Sequence, residues 1–277
     1  MAIVRVPGSS ANLGPGFDGV GLAVSMYAEV GVVGVDPMPE RARPADERHP
    51  ATIACRRVGG TVDLWVRSEM PMGRGLGFSG AVRVAGALLG VADGAACNPA
   101  DPVVRRKVLD ATAELEGHAD NVAASLLGGV VGTNGREAAR LVPGCALDVV
   151  VWIPDFTTST NESRAKLPSS VPFADAVFNV THTALLMAAL ASGDLDALAE
   201  ATADRLHQDV RLAKVPASRA ALEAMKAAGA VCAWLSGSGP TVACFARSGE
   251  GAAMVTALPP EGQTKVLAID TDGATFL

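Results

Sequence analysis

Aromatic side chains are scarce in this chain: one tyrosine, three tryptophans and seven phenylalanines among 277 residues. A core built on large rings is therefore excluded. Alanine, valine and glycine do most of the packing. Cysteines number five (Cys55, Cys97, Cys145, Cys232 and Cys244), an odd and widely spaced set with no CxxC pair. That excludes a disulfide framework and reads as reduced packing residues in a cytoplasmic protein. The four histidines, His49, His118, His182 and His207, are equally scattered, so no zinc spacing is present. The net charge of −6 gives no attraction to nucleic acid or to an anionic membrane. No basic-hydrophobic leader opens the chain, and no continuous run of about 18 apolar residues is expected to span a bilayer.

Glycine, by contrast, is plentiful and clustered. Pro71 to Gly80 reads PMGRGLGFSG, with Gly73, Gly75, Gly77 and Gly80 lying between a strand-like and a helix-like stretch. Before it, Thr61 to Arg67 alternates apolar and polar residues. After it, Ser79 to Leu89 is rich in Ala, Val and Leu with no proline. Such a loop can converge backbone N–H groups on one point, and the following helix start adds partial positive charge. That is the chemistry of a phosphate cradle, the alternative being a glycine-rich turn that holds no ligand. Gly75-x-Gly77-x-x-Gly80 matches the dinucleotide fingerprint only formally, because the helix runs into the turn-like Asp93 to Pro99 where a second parallel strand should follow. Nor is it a GxxxxGK[ST] loop, since no lysine precedes Ser79.

The remaining elements are mixed. A strand is expected at Ile3 to Val6, followed by a turn-rich segment from Pro7 to Gly19. One or two strands are expected between Leu22 and Val35, and a surface excursion from Pro37 to Pro50. Asp101-Pro102 predicts a helix start ending near Gly117, with a second helix from Ala119 to Leu127. Leu147 to Ile153 reads as a buried strand. Helices follow over 173–191, 195–206 and 217–228, then strands at 231–235, 241–246 and 264–269 with a short helix between the last two. Uneven interleaving of strands and helices excludes a barrel or doubly wound sheet. The expectation is an α+β sandwich of two lobes, 1–145 and 146–277.

Three further clusters accompany the loop. They are Ser9-Ser10-Ala11-Asn12-Leu13-Gly14-Pro15-Gly16-Phe17-Asp18, Glu116-Gly117-His118-Ala119-Asp120-Asn121, and Leu235-Ser236-Gly237-Ser238-Gly239-Pro240-Thr241. Together and in this order the chain resembles the GHMP kinase superfamily, and within it the homoserine kinase branch. The segments Ser159 to Arg164 with Leu167-Pro168, and Leu206 to Arg211, fit that branch as well. The resemblance implies a two-lobed GHMP-kinase-like sandwich with a ferredoxin-like C-terminal lobe. It implies ATP-dependent, Mg²⁺-assisted phosphorylation of the L-homoserine side-chain hydroxyl, a small-molecule reaction without nucleic acid or membrane, and it is compatible with a homodimer.

The same resemblance assigns roles. Gly73, Arg74, Gly75, Leu76, Gly77, Phe78, Ser79 and Gly80 wrap the triphosphate, and Ser79 and Glu116 face the metal. Arg164 and Arg211 take the acceptor carboxylate, a task suited to a guanidinium fork. Asp18 takes the ammonium, and Asn12, His118, Asn121 and Thr160 position the acceptor. Ser236, Gly237, Ser238 and Gly239 buttress the loop. Asp120 is the local candidate for a base. Phe78 stands where the family motif GLGSSAA has its first serine, and Gly80 where it has alanine. The alternatives are a related kinase for another small hydroxy acid or amino alcohol, and a catalytically idle ligand-binding homologue.

Overall fold

The computed structural model describes residues 2–277. In its first part, β1 (Val4–Ala11), β2 (Val20–Val32), β3 (Arg43–Pro44), α1 (Pro50–Arg57), β4 (Leu64–Ser68), α2 (Phe78–Val91), α3 (Pro102–Glu116), α4 (Asp120–Leu127), β5 (Val130–Thr133) and β6 (Ala138–Leu141) follow in order. In its second part come β7 (Leu147–Pro154), α5 (Thr160–Ala165), α6 (Phe173–Ser192), α7 (Leu195–Ala201), α8 (Gln208–Leu212), α9 (Pro216–Ala227), β8 (Cys232–Leu235), β9 (Val242–Arg247), α10 (Gly251–Met254), β10 (Gly262–Ala268) and β11 (Thr275–Phe276).

The first sheet has seven strands, ordered β11-β1-β2-β4-β3, with β5 also on β2 and β6 on β5. Helices α2 and α4 cover β1 and β2. Helix α2 is buried along nearly its whole length, as a helix apolar on all sides must be. It lies against α1 at backbone distance: an added Cβ at Gly86 or Gly90 would meet the main chain of Ala51 or Cys55. This is the packing that a ring-poor composition requires. Helix α3 starts where expected, with the Asp101 carboxylate accepting from the N–H groups of Val103 and Val104 at 2.8 and 3.1 Å.

The second sheet is β10-β7-β9-β8, antiparallel throughout. Numbered within this lobe its strands run 4-1-3-2 with helices before the second and fourth, which is the ferredoxin-like arrangement. Trp234 on β8 is fully buried, with its ring centroid 4.7 Å from that of Phe245. The two sheets are not sequestered by chain position: β11 returns to pair with β1, in register Val4 with Phe276.

Several sequence expectations are corrected. Strand β1 continues through Pro7 to Ala11, so the segment read as turn-rich begins as buried strand; its Ser9 and Ser10 are polar, but each has side-chain hydrogen-bond partners inside. The helix expected over 195–206 stops at Ala201, because the Asp204 carboxylate accepts from the N–H groups of Leu206, His207 and Gln208 and turns the chain. The short β5–β6 hairpin and the helices α5 and α8 have too few residues to show a period. Helix α6 passes the length and composition test for crossing a bilayer, with mean hydropathy 1.4 over its best window. Asp175, Asn179 and His182 break the continuous apolar run there, which hid this property from a search for uninterrupted stretches.

Trp234→Phe keeps an aromatic side chain, though a smaller one, and removes the indole N–H that Ser10 accepts from at 2.9 Å. A loss of about 1–3 kcal/mol in urea unfolding is expected, with the secondary-structure circular dichroism unchanged.

Candidate functional site

The glycine loop joins β4 to α2, and its two edges are used differently. The carbonyl oxygens of Gly73, Arg74, Leu76 and Gly77 accept from the N–H groups of Thr158, Thr241, Ser9 and Ala81. That of Gly75 accepts from the Ser236 hydroxyl at 2.5 Å. Among the described residues, no acceptor meets the backbone N–H of Gly75, Leu76, Gly77, Phe78, Ser79 or Gly80. Six amides in a row are thus left for something outside the protein, at the start of a 14-residue helix whose N-terminus is uncapped by any side chain. This is the arrangement that binds phosphate. The cradle they line has a volume of about 120 Å³, the scale of phosphate groups rather than of a base.

The glycines serve this orientation by letting the loop sit hard against its neighbours. Gly75 and Gly77 have φ of 77° and 70°, where side chains are strained. A Cβ on Gly75 would collide with the carbonyls of Ser236 and Gly239, and one on Gly77 with Ser9. Phe78, the departure from the family motif, packs onto the core and edge-on to His49, with centroids 6.3 Å apart. It costs a hydroxyl but leaves the amides untouched.

At the helix end of the cradle, Ser79 Oγ lies 2.5 Å from Glu116 Oε1. Both line the cradle. One carboxylate and one hydroxyl form a hard-oxygen donor set that suits Mg²⁺, an ion that keeps waters and takes the rest of its shell from substrate phosphates. No cluster of three or more His, Cys, Asp or Glu exists among the described residues, so the site fits a shared metal and not a protein-caged one. Arg83, one turn beyond Ser79, donates from Nε to Glu116 at 2.5 Å, and both side chains are largely buried. Its Nη1 is buried without a partner.

The acceptor side is charged. Arg164 on α5 forks Asp18 with contacts of 2.6 and 2.8 Å, and this hydrogen-bonded pairing raises the guanidinium pKa. Arg211 on α8 is buried, donating to the Gly237 carbonyl at 3.1 Å and to His207 Nδ1 at 3.2 Å, while its Nε has no partner. Burial, then the charge of Arg164, lowers its pKa. The guanidinium carbons of both arginines lie 5.2 Å from the centroid of the Phe17 ring, so one ring serves two cations. Burial also lowers the pKa of His207; the neutral ring donates from Nε2 to the Gly14 carbonyl at 2.8 Å and accepts from Arg211.

The other expected residues fall around this centre. Asn12 Nδ2 donates to the Gly237 carbonyl and its Oδ1 accepts from the Asp18 N–H, both at 3.1 Å. Asn121 Oδ1 accepts from the Ser9 hydroxyl at 2.9 Å. The hydroxyls of Thr160 and Ser238 meet at 3.1 Å, across the cradle mouth. Asp120 is buried and turned inward: its Oδ1 is 2.8 Å from His118 Nδ1 and accepts the Asn121 N–H at 2.7 Å. That hydrogen bond raises the His118 pKa. Asp120 is thus placed as a brace behind His118, and it lies outside the cradle lining.

The family profile described as GHMP kinases N terminal domain matches residues 49–129, and that described as GHMP kinases C terminal matches residues 186–262. A homoserine kinase from Deinococcus radiodurans is 43% identical over 260 residues, spanning 87% of this chain and 83% of the relative. The chain belongs to the GHMP kinases. A homoserine kinase from Moorella thermoacetica is 37% identical over 95% of this chain and 94% of its own. The crystal structure of homoserine kinase from Cytophaga hutchinsonii shares the fold with a TM-score of 0.83 at 23% identity, covering 100% of this chain and 97% of that one. GHMP kinases use ATP with Mg²⁺.

Within this GHMP kinase, sequence reasoning gave no individual role to Arg83, Phe17, His207 or Trp234. Arg83 was findable, since it stands four residues after Ser79 on a helix and so shares its face. The others act through contacts between distant segments, which spacing does not reveal. Two outcomes are expected. Gly75→Ala should weaken nucleotide binding by about tenfold or more in calorimetry, because the loop must move off Ser236. His118→Gln should lower Tm most below pH 6.5. The raised His118 pKa makes its pairing with Asp120 fully stabilising there, and the difference should shrink as pH rises through the folded-state value.

Proposed function

We propose that this chain transfers the γ-phosphoryl group of ATP to the side-chain hydroxyl of L-homoserine, giving O-phospho-L-homoserine and ADP. The observation that carries the reading is the run of six acceptor-free amides beside a zwitterion-sized set of charges. The loop from Gly73 to Gly80 holds the phosphate chain through its N–H groups. Ser79 and Glu116 supply oxygen ligands to Mg²⁺, which when bound neutralises charge on the transferring group. Glu116 must then exchange its contact with Arg83.

On the other side, Asp18 and Arg164 now satisfy each other. An incoming acceptor replaces both halves of that pair: its ammonium goes to Asp18, and its carboxylate to Arg164 with Arg211. Asn12 fixes the Asp18 backbone, Thr160 with Ser238 closes over the phosphates, and Asn121 and His118 orient the hydroxyl. Asp120, held against His118, keeps the ring in place and takes no proton from the acceptor. Catalysis is then chiefly alignment and charge neutralisation. We assign residues 1–145 to the nucleotide lobe and 146–277 to the lobe carrying both arginines.

A coupled ADP-release assay over L-homoserine, L-threonine, L-serine, shikimate and pantoate tests the acceptor, and turnover is expected to be greatest with L-homoserine. Turnover with shikimate or pantoate and none with L-homoserine would overturn the assignment, since neither has an ammonium for Asp18. Arg164→Ala should raise the KM for L-homoserine by about tenfold or more and leave the KM for ATP unchanged. Glu116→Gln should lower kcat and shift the Mg²⁺ dependence to higher concentration.

A further inference from the structure

One cavity borders the reaction site through Arg211 and Ser238, but the rest of its lining serves none of these roles. It holds about 470 Å³, within the range of small-molecule pockets. Phe156, Val210 and Val215 form its apolar wall, and Glu162, Lys166 and Lys214 bring charge to it. None of these three charged side chains is ion-paired among the described residues. Helix α9 also begins at this wall. No side chain caps it, and the N–H groups of Ala217 and Ser218 meet no acceptor among the described residues. Its positive end therefore adds to the two ammonium groups. Arg211, buried and with a partnerless Nε, borders the same space.

Helix α5 contributes side chains both to the acceptor centre and to the cavity. Arg164 leaves it towards Asp18, while Glu162, Ser163 and Lys166 leave it towards the cavity. We propose that this cavity is a second ligand site, which binds a free α-amino acid with an apolar side chain. The carboxylate goes to Lys166, Lys214 and the start of α9, the ammonium to Glu162, and the side chain to Phe156, Val210 and Val215.

The test is calorimetric titration of the full chain with L-leucine, and it does not depend on turnover. L-Leucine is expected to bind in the presence of saturating L-homoserine. L-Leucinamide, without a carboxylate, and 4-methylpentanoate, without an ammonium, are each expected to bind about tenfold more weakly or worse. The double variant Lys166→Ala/Lys214→Ala should lose L-leucine binding while retaining its Tm and its kcat. Glu162→Gln should weaken L-leucine and leave 4-methylpentanoate unchanged. Absence of L-leucine binding in the unaltered chain would overturn the proposal. So would its displacement by L-homoserine, which would place it in the acceptor centre, or equal binding of 4-methylpentanoate.

Discussion

A single directional relay of hydrogen bonds holds the site together. The buried Trp234 indole donates to Ser10 Oγ at 2.9 Å, the Ser10 and Ser236 hydroxyls meet at 2.7 Å, and Ser236 donates to the Gly75 carbonyl. Because the Ser236 proton is committed to Gly75, Ser10 must donate to Ser236, and the relay has one polarity. It links β8, β1 and the glycine loop, three segments far apart in sequence. By drawing the Gly75 carbonyl inward it turns the neighbouring amides outward. The phosphate cradle is therefore a product of tertiary structure; the loop sequence supplies only the freedom to be turned. In a low-dielectric interior such a relay is strengthened by its own polarisation, and loss of one member strands the others.

Charge is managed locally, against the sign of the whole molecule. The chain carries a net −6, yet its centre gathers Arg83, Arg164 and Arg211. Each guanidinium is given a different partner: Glu116, Asp18, and the neutral acceptors Gly237 and His207. Arg211 is the costly one, buried with only neutral acceptors and a spare Nε. A buried cation in want of an anion is a binding determinant, because the ligand recovers desolvation already spent in folding. Arg164 differs, since its bidentate pair with Asp18 is partly open to water and can exchange at lower cost.

Much of this was legible in the sequence. The loop, the strand before it and the helix after it follow from the glycine spacing and from apolar periodicity, and Asp101-Pro102 marks the start of α3 without ambiguity. The ordered motifs pointed to the family and thus to the sheet order of the second lobe. What was not legible has a common physical cause. Ser9 and Ser10 look like turn residues because hydroxyls prefer turns, but inside β1 Ser9 is satisfied by Asn121 of its own lobe and Ser10 by Ser236 and Trp234 of the other. The contacts of Asp120 Oδ1 with His118 and with the N–H of Asn121 are likewise invisible in the motif spacing. The pairing of Arg164 with Asp18 joins residues 146 positions apart, and no local rule reports it.

The pairing of β11 with β1 carries a consequence for biogenesis. Strand β1 bears Ser9 and Ser10, and its outer edge is closed by residues some 270 positions later in the chain, Val4 matching Phe276. During synthesis the N-terminal segments emerge first, so the edge of β1 at Val4 and Arg5 stays open until Thr275 and Phe276 have been made. Such an edge invites strand addition from other chains.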